Sequence, residues 1–396
     1  MPIPSPFHER TAALCTSYRW KDWAGYYAVC SYDTYAEREY FALRHAAGLI
    51  DVTPLFKYEI EGPDAGAFLA RVLVKDPRAL KIGQVTYLCW CDDRGFVVDD
   101  GTVTRLDEDR YRLTAAEPSF AWLERFRRGY DVSIEDSTAR IGALSLQGPR
   151  ARAVLADCCD ADLELLRFFH GTRADLDGLD VWISRTGYTG DLGYEIWVDA
   201  GDALKLWDAV MAAGAAHGLE PAALDAMDIT RIEAGFIMNG VDYFSAHHCL
   251  IDARKSTPYE LGLGWTVKLD REPFNGQAAL RAEKERGPRR RLVGLVIDWD
   301  ELEALYAEHG LPPEICTAAW RTGVPVYAKG GRQVGKATSG AWSPILKRNL
   351  ALADVEAELA AVGTELDFEV TVEYRRRRVT ATVTKKPFFD PPRKRE

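Results

Sequence analysis

The thirteen residues 184–196 (SRTGYTGDLGYEI) combine the groups needed to hold a flat, polar ring. Glycines stand among aromatic, arginine and carboxylate side chains, and the segment ends in an apolar run typical of a strand. Glycine lets the backbone approach a ligand closely, and the two oxygens of a carboxylate such as Glu195 accept adjacent N–H groups from a ring edge. The residues alone fit a surface hairpin with Glu195 in water equally well.

Other common chemistries lack their motifs in this chain. The eight cysteines include no C-x-x-C pair, and His247-His248 has no nearby acid or cysteine cluster. Neither a G-x-G-x-x-G nor a G-x-x-x-x-G-K-[ST] pattern is present. The sequence therefore predicts no metal site and disfavours a nucleotide cofactor.

The composition is that of an ordinary globular protein. The length of 396 residues predicts two or three domains, and 47% of the residues are hydrophobic. A net charge of −10 argues against general nucleic-acid binding, and no apolar run approaches the roughly 20 residues needed to cross a bilayer. The first residues also lack the apolar core of a signal peptide, so we expect a cytoplasmic protein without nucleic-acid or membrane partners.

A repeated turn suggests two related modules of mixed helix and strand. Gly62-Pro63 and Gly148-Pro149 each follow an expected strand and precede an expected helix. This alternation indicates an α+β protein rather than a doubly wound one. The expected helices cover residues 32–50 (closed by Gly48), 64–74, 120–128, 203–217 and 223–235, and the expected strands cover 56–60, 85–90, 95–98, 102–106 and 143–146.

The charged segment 283–291 predicts a domain boundary. After it, glycine turns separate strand-like segments, a pattern typical of a small β-barrel or sandwich. We therefore expect two regions, residues 1–285 with both modules and residues 286–396 with the barrel.

Five stretches, in order along the chain, resemble the tetrahydrofolate-dependent aminomethyltransferase family, typified by the T-protein of the glycine cleavage system. Two later stretches resemble the last domain of that family. The resemblance covers nearly the full length. The stretches are 44–52 (RHAAGLIDV), 83–87 with 95–100 (GQVTY and GFVVDD), 184–196, 231–235 (RIEAG) and 262–267 (GLGWTV), then 334–344 (VGKATSGAWSP) and 386–392 (KPFFDPP).

The resemblance implies a three-domain cloverleaf around a central folate channel. Two interleaved α+β modules would form the first domains and a β-barrel the third. It also implies that Tyr87, Tyr188, Glu195, Arg231 and Trp265 bind tetrahydrofolate: Glu195 at the pterin edge, the two tyrosines as walls for flat rings, and Arg231 against Glu195 or a folate carbonyl. For Glu195, the two tyrosines and Arg231, an ordinary structural role remains the alternative.

Asp99 matches the functional aspartate of the family. Two consecutive acids on a strand point to opposite faces, so we expect Asp99 to face the channel and Asp100 to face away or stabilise a turn. The resemblance implies that a carboxylate here orients the reacting amine and stabilises developing positive charge. Tetrahydrofolate is thus the expected cofactor and Asp99 the expected catalytic residue.

The resemblance leaves the carbon donor open. In glycine cleavage, N5 of tetrahydrofolate takes an aminomethyl carbon from a lipoyl carrier protein. In related demethylases, N5 takes a methyl group from a small methylated amine, sulfonium or aryl ether. A non-catalytic folate-binding protein is a further alternative, against which Asp99 argues.

Departures from the family pattern cluster on the donor side. Residues 53–56 (TPLF) and 114–118 (TAAEP) replace the usual segments, Gly101 replaces a leucine, and residues 241–255 form a longer piece near the expected channel mouth. Loss of an asparagine from the second segment removes both a donor and an acceptor, so we expect a more apolar donor pocket. These changes favour a small donor over a lipoyl carrier.

Overall fold

Nine α-helices and nineteen strands form the chain in this computed structural model, which describes residues 1–396. The first twelve elements are α1 (His8–Leu14), β1 (Arg19–Trp23), β2 (Tyr26–Ser31), α2 (Glu37–His45), β3 (Ala47–Asp51), β4 (Phe56–Glu61), α3 (Ala65–Val72), β5 (Val85–Cys91), β6 (Val97–Asp107), β7 (Arg110–Ala115), α4 (Phe120–Phe126) and β8 (Ser133–Asp136). Then follow β9 (Ile141–Gln147), α5 (Ala151–Ala156), β10 (Gly171–Leu176), β11 (Leu179–Ser184), β12 (Gly193–Asp199), α6 (Ala203–Gly214), β13 (Leu219–Pro221), α7 (Leu224–Glu233) and α8 (Gln277–Arg286). The last elements are β14 (Arg290–Ile297), α9 (Trp299–Ala307), β15 (Val324–Ala328), β16 (Gln333–Ser343), β17 (Arg348–Glu356), β18 (Glu365–Val372) and β19 (Arg375–Thr384).

The first large sheet has the strand order β10-β11-β12-β9-β3-β13. All its pairs are antiparallel except β13 with β3. Every residue of β9 is buried because the strand lies between β12 and β3. This sheet holds Glu195 near the start of β12 and Gln147 at the end of β9.

The second large sheet has the order β5-β6-β7-β4-β8. Its five strands fall in sequence between β3 and β9, which are hydrogen-bonded neighbours in the first sheet. The two modules are therefore interleaved, as the family resemblance implied. Asp99 and Asp100 lie on β6 of this sheet.

The last six strands close into a barrel in the order β14-β17-β16-β15-β18-β19, with β14 pairing β19. The expected α+β class with a C-terminal barrel is confirmed. We propose the domain boundary in the short linker between α8 and β14. One hydrophobic cluster joins β5 and β6 to the barrel through Tyr243, Leu261 and Leu352, so the barrel packs directly beside the second sheet.

Two element predictions were wrong in detail. The helix expected over residues 32–50 ends at His45, because Ala46 leaves the helical backbone region (φ −136°, ψ −112°) and residues from Ala47 onward pair as β3. Gly48 is therefore a strand residue, and a Cβ there would lie 2.5 Å from Leu43. The two strands expected over 95–98 and 102–106 form one long strand, β6.

None of the helices combines the length and the apolar character needed to span a lipid bilayer.

Candidate functional site

Asp99 is fully buried and surrounded by hydrogen-bond donors. Its Oδ2 accepts from the backbone N–H groups of Ala116 (3.0 Å) and Glu117 (2.9 Å). Its Oδ1 accepts from Nδ2 of Asn239 (2.8 Å) and lies 3.3 Å from the hydroxyl of Tyr243. These donors, two of which come directly after β7, fix the orientation of the Asp99 carboxylate on β6.

Asp100 contacts the same phenol as Asp99, contrary to the expectation that it faces away. The hydroxyl of Tyr243 donates to Oδ1 of Asp100, and the hydroxyl of Tyr87 donates to its Oδ2 at 2.6 Å. β7 pairs with β6 only from Val103 onward, and beside the acids the residues just after β7, Ala116 and Glu117, donate their N–H groups to Asp99. The hydroxyl of Tyr243, from a distant loop, reaches both Asp99 and Asp100.

The two acids share a single donated proton, since a phenol has only one hydrogen. Burial, together with the charge of Asp100, raises the pKa of Asp99 well above its usual range. Burial also raises the pKa of Asp100, although hydrogen bonds from Tyr243 and Tyr87 oppose the shift. The pair can therefore hold or take a proton near neutral pH.

Aromatic rings line the space next to these acids. Tyr87 stacks with Trp265 at 6.3 Å between ring centroids, and Trp265 remains 59% exposed, so it forms an outer wall. Tyr188 stacks with Phe236 at 5.7 Å and donates its hydroxyl to the backbone carbonyl of Ile237. Burial raises the pKa of both tyrosines, which therefore stay neutral.

Arg231 on α7 is fully buried between two carboxylates. Its Nε lies 2.7 Å from Asp228 and its Nη1 lies 2.5 Å from Asp242, while Nη1 also donates to the carbonyl of Phe236 at 3.1 Å. Arg231 does not pair with Glu195. Its Nη2 is buried without a hydrogen-bond partner, and buried donors of this kind usually have one.

Both carboxylates beside Arg231 also contact the C-terminal region. Asp228 accepts from Nε of Arg321 at 2.7 Å. Asp242 accepts from the hydroxyls of Thr338 (2.6 Å) and Ser339 (2.7 Å) on β16. The guanidinium of Arg231 is thus held in place by partners that the barrel itself orients.

Glu195 makes no hydrogen bond to the acids, aromatic residues or arginine described above. Its Oε2 accepts from the hydroxyl of Thr186 at 2.6 Å, while its Oε1 has no partner within the protein. The side chain is half-buried, and burial raises its pKa. One carboxylate oxygen therefore remains free to accept a hydrogen bond from a ligand.

The glycines of the 184–196 segment explain how the loop before Glu195 is shaped. The amide of Gln147 donates to the carbonyl of Thr186 (3.1 Å) and accepts from the hydroxyl of Thr189 (2.9 Å). A Cβ at Gly187 or Gly193 would come within 2.1 Å and 2.2 Å of this amide. Only glycine at both positions lets Gln147 hold the loop.

A cavity of about 430 Å³, called here the outer cavity, is lined largely by the segment 241–255 and does not include Asp99. Glu117 and Asn239, which both hydrogen-bond Asp99, line it, together with Phe244, His248 and Arg254. The lining is mixed, because Asn239 supplies an amide while the segment 241–255 supplies apolar side chains such as Leu250 beside charged ones, so a more apolar donor pocket stays a prediction. No group of three or more His, Cys, Asp or Glu side chains is arranged to hold a metal ion.

Sequence reasoning missed Asn239 and Tyr243, the side-chain partners of Asp99. They lie on a loop between α7 and α8 without regular structure, and nothing in their spacing links them to β6. The only available signal was the unusual length of the 241–255 segment.

Comparisons with known proteins agree with this architecture. The model of the GCVT N-terminal domain matches residues 6–271, and that of the glycine cleavage T-protein C-terminal barrel domain matches residues 290–390. Curated proteins named aminomethyltransferase from Bacillus subtilis (strain 168) and Geobacillus thermodenitrificans (strain NG80-2) are each 36% identical over 359 residues, which cover 89% of this chain and 90% of theirs.

A solved structure is similar over almost the whole chain. The crystal structure of glycine cleavage system aminomethyltransferase T from Bartonella henselae has a TM-score of 0.83 and 28% identity, and the match covers 98% of this chain and 99% of that one. Family models, relatives and structure thus agree over both the modules and the barrel. The chain belongs to the enzymatic family of aminomethyltransferases of the glycine cleavage T-protein type.

Proposed function

We propose that the protein transfers a one-carbon group from a donor to N5 of tetrahydrofolate. The observation that carries this proposal is the pair of buried carboxylates, Asp99 and Asp100, that share the phenol of Tyr243 beside aromatic walls. A site that only binds folate has little need for a proton-accepting acid pair. The family of the chain supports a transferase with the same acceptor.

The residues present fit tetrahydrofolate. The free Oε1 of Glu195 suits the adjacent N–H groups of a pterin edge, and the orphan Nη2 of Arg231 suits a ring carbonyl or nitrogen. Tyr87 and Tyr188 offer walls for flat rings, with Trp265 at the solvent side. When bound, tetrahydrofolate supplies the nucleophilic nitrogen that receives the carbon.

Asp99 serves as the proton acceptor and charge stabiliser. Asp99 would accept the proton that N5 loses when it takes the carbon, while the electron pair of the broken bond would stay on the donor atom. The raised pKa of Asp99 suits this task at neutral pH. Ala116 and Glu117 N–H groups keep the carboxylate in place.

The donor is either an aminomethyl group on a lipoyl carrier protein or a small methylated compound. The family favours the first, since these enzymes take an aminomethyl group. The changed segments 53–56 and 114–118 favour the second, since they depart from the family pattern on the expected donor side. A non-catalytic folate binder is the least favoured alternative.

Mass spectrometry of the folate product distinguishes these candidates. The protein is incubated with tetrahydrofolate and either aminomethyl-loaded lipoyl protein or a panel of methylated amines, sulfoniums and aryl ethers. Methylenetetrahydrofolate from the first set supports the lipoyl donor, and 5-methyltetrahydrofolate from the second supports the small donor. Folate binding without any product supports the non-catalytic alternative.

A further inference from the structure

The side chain of Glu195 lies in a row of small hydroxyl residues that crosses the first sheet. Glu195 pairs directly with Ser184 on β11 and with Ser145 on β9. Residues paired in this way in antiparallel strands point to the same face, with Cβ atoms about 4.5–5.5 Å apart. The carboxylate therefore emerges between two serines, both of which are almost completely buried.

A chain of hydrogen bonds leads from Ser184 to Glu195 through Thr186. The hydroxyl of Thr186 lies 2.6 Å from Oε2 of Glu195 and 2.8 Å from the hydroxyl of Ser184. An ionised carboxylate only accepts hydrogen bonds, so Thr186 gives its single hydroxyl hydrogen to Glu195. Ser184 must then donate to Thr186, and the chain runs in one direction, from Ser184 through Thr186 to Glu195.

Thr186 is also held through its backbone. Its carbonyl accepts from Nε2 of Gln147 at 3.1 Å. Gln147 lies two residues after Ser145 on β9, and therefore on the same face of the sheet as Glu195. Because Thr186 is fixed at both its carbonyl and its hydroxyl, it is aimed at Glu195 before any ligand arrives.

The direction of this chain favours the charged form of Glu195. Burial raises the pKa of Glu195, and the hydrogen bond from Thr186 opposes this shift. A proton on Oε2 would reverse both hydrogen bonds, and the hydroxyl hydrogen of Ser184 would lose Thr186, its only partner, as an acceptor. A proton on Oε1 would keep the bond from Thr186 but weaken it, because its acceptor would no longer carry a charge.

No charged side chain assists Thr186 in this task. The residues that flank Glu195 on the neighbouring strands are the uncharged Ser184 and Ser145, and the pKa of Glu195 responds only to burial and to Thr186. Arg231, which the sequence placed against Glu195, pairs with two aspartates instead. The hydroxyl of Thr186 is therefore the group that counters the effect of burial on Glu195.

We propose that Ser184 and Thr186 are positioning residues that hold Glu195 ionised and leave its Oε1 free for the pterin edge. This inference rests on the proposed binding of tetrahydrofolate and assigns two further residues to that site. The adjacent N–H groups of a pterin edge need two accepting oxygens, which a protonated carboxyl does not offer. Loss of the Thr186 hydroxyl should therefore weaken folate binding most at acidic pH.

The charge of Glu195 is measured first, in the full-length protein without ligand. Infrared difference spectroscopy from acidic to alkaline pH follows the carbonyl band of protonated carboxyl groups, and Glu195→Gln identifies the contribution of Glu195. Thr186→Val keeps the shape of the side chain but removes the hydroxyl, so the midpoint should rise by roughly one pH unit, a tenfold change in proton affinity.

Two further variants locate this effect. Ser184→Ala should shift the midpoint of Glu195 in the same direction by a smaller amount, since it removes only the donor behind Thr186. Thr186→Ser retains a hydroxyl and should restore the midpoint of the parent. Thermal unfolding checks that each variant is folded, and Ser184→Ala carries the same test should Thr186→Val fail to fold.

Titration with tetrahydrofolate over the same pH range tests the consequence for binding. In Thr186→Val, the Kd should rise roughly 10-fold on the acidic side of the parent midpoint and much less at alkaline pH. Thr189→Val is the matched control, because Thr189 lies in the same loop but donates to Gln147 at 2.9 Å and not to Glu195. Any loss in the control should be equal at every pH, and the same pH profile in Thr186→Val would overturn the inference.

Steady-state kinetics and the ligand-free titration separate this inference from the proposed function. Thr186→Val should raise KM for tetrahydrofolate with little change in kcat, and a lower kcat at unchanged KM would contradict the positioning role. A raised Glu195 midpoint without any tetrahydrofolate binding by the parent would reject the proposed function and still support the positioning role. An unshifted midpoint in Thr186→Val would refute the inference even if the parent binds tetrahydrofolate.

Discussion

Arg393 and Asp191 form a two-point ion pair, with Nε–Oδ1 and Nη2–Oδ2 both at 2.7 Å. Asp191 has a fully buried carboxylate and lies in the loop that precedes Glu195. The second nearby cation, Arg44, approaches only to 3.7 Å. The segment after the barrel therefore holds the loop that carries the proposed pterin-binding glutamate.

Arg393→Gln should destabilise the fold and loosen this loop. The change leaves the Asp191 carboxylate buried with weaker partners, at a cost of about 1–3 kcal/mol in unfolding free energy. Denaturant unfolding measures the cost, and folate titration should show weaker binding. Arg395→Gln is the control because Arg395 pairs with Asp390 at the surface; equal losses in both variants would contradict the assigned role.

Asp99→Asn should reduce turnover far more than folate binding. Asparagine keeps the size of the side chain but cannot take the proton released at N5, so we expect kcat to fall roughly 10²- to 10⁴-fold. Tetrahydrofolate affinity, measured by fluorescence titration, should change only slightly. Comparable losses in kcat and in affinity would show that Asp99 serves binding instead.

Glu195→Ala should show the opposite pattern. Loss of the free Oε1 removes a charge-assisted hydrogen bond to the ring edge, so the Kd for tetrahydrofolate should rise roughly 10- to 100-fold. Glu135→Ala, at an exposed strand position paired with Arg140, provides the control. An unchanged Kd in the Glu195 variant would show that Glu195 has only an ordinary structural role in a hairpin.

Tyr243→Phe should move the pH dependence of catalysis upward. The phenol donates to Asp100 and lies beside Asp99, and these hydrogen bonds favour the charged carboxylates. Without them the pKa of the pair rises, so activity that needs an ionised Asp99 appears at higher pH. The pH profile of kcat/KM tests this; a variant that is less active with an unshifted profile would indicate a purely structural role.

Lys57→Met should change how stability varies with pH. Burial lowers the pKa of Lys57 to about 7, although its ammonium donates to two carbonyls. Between pH 7 and the ordinary lysine range, the unfolded chain binds a proton that the folded chain does not. In this range Lys57 therefore makes the free energy of unfolding increase by ~1.4 kcal/mol for each pH unit.

The variant lacks that contribution, so its stability relative to the parent should be highest below pH 7 and should decline at higher pH. Denaturant unfolding at pH 6, 8 and 9.5 measures the difference. Lys205→Met, at an exposed helix position paired with Asp202, should give a constant difference. If the free energy of unfolding of Lys57→Met ran parallel to that of the parent across these pH values, the lowered pKa of Lys57 would be contradicted.

The sequence predicted the parts of the fold and site that depend on local pattern. The repeated Gly-Pro turn and the later glycine turns indicated two α+β modules and a barrel or sandwich, the family resemblance implied that the modules interleave, and the 184–196 segment indicated a carboxylate at the start of a strand. Gly48 misled the helix prediction because a glycine at a helix end and a glycine in a crowded strand look alike without their neighbours. Its small size is required there by Leu43.

The remaining site features depend on contacts between distant segments. Asp100 was expected to face away, since strand alternation does not reveal that one tyrosine hydroxyl reaches both acids. Tyr243 and Asn239 reach the acids from a loop more than a hundred residues later in the chain. Most of the outer cavity is likewise formed by this loop, with Glu117 as its one contribution from the segment where an asparagine was lost.

The contacts of Arg231 make the proposed folate pocket and the barrel a single cooperative unit. Moving the barrel away would remove Arg321, Thr338 and Ser339 from Asp228 and Asp242, and would leave the two carboxylates against Arg231 short of donors. Separation of the domains is therefore unfavourable even before any ligand binds. A ligand that accepts a hydrogen bond from the unpartnered Nη2 of Arg231 further stabilises this junction, so occupancy of the proposed folate pocket should protect the linker between α8 and β14 against proteolysis.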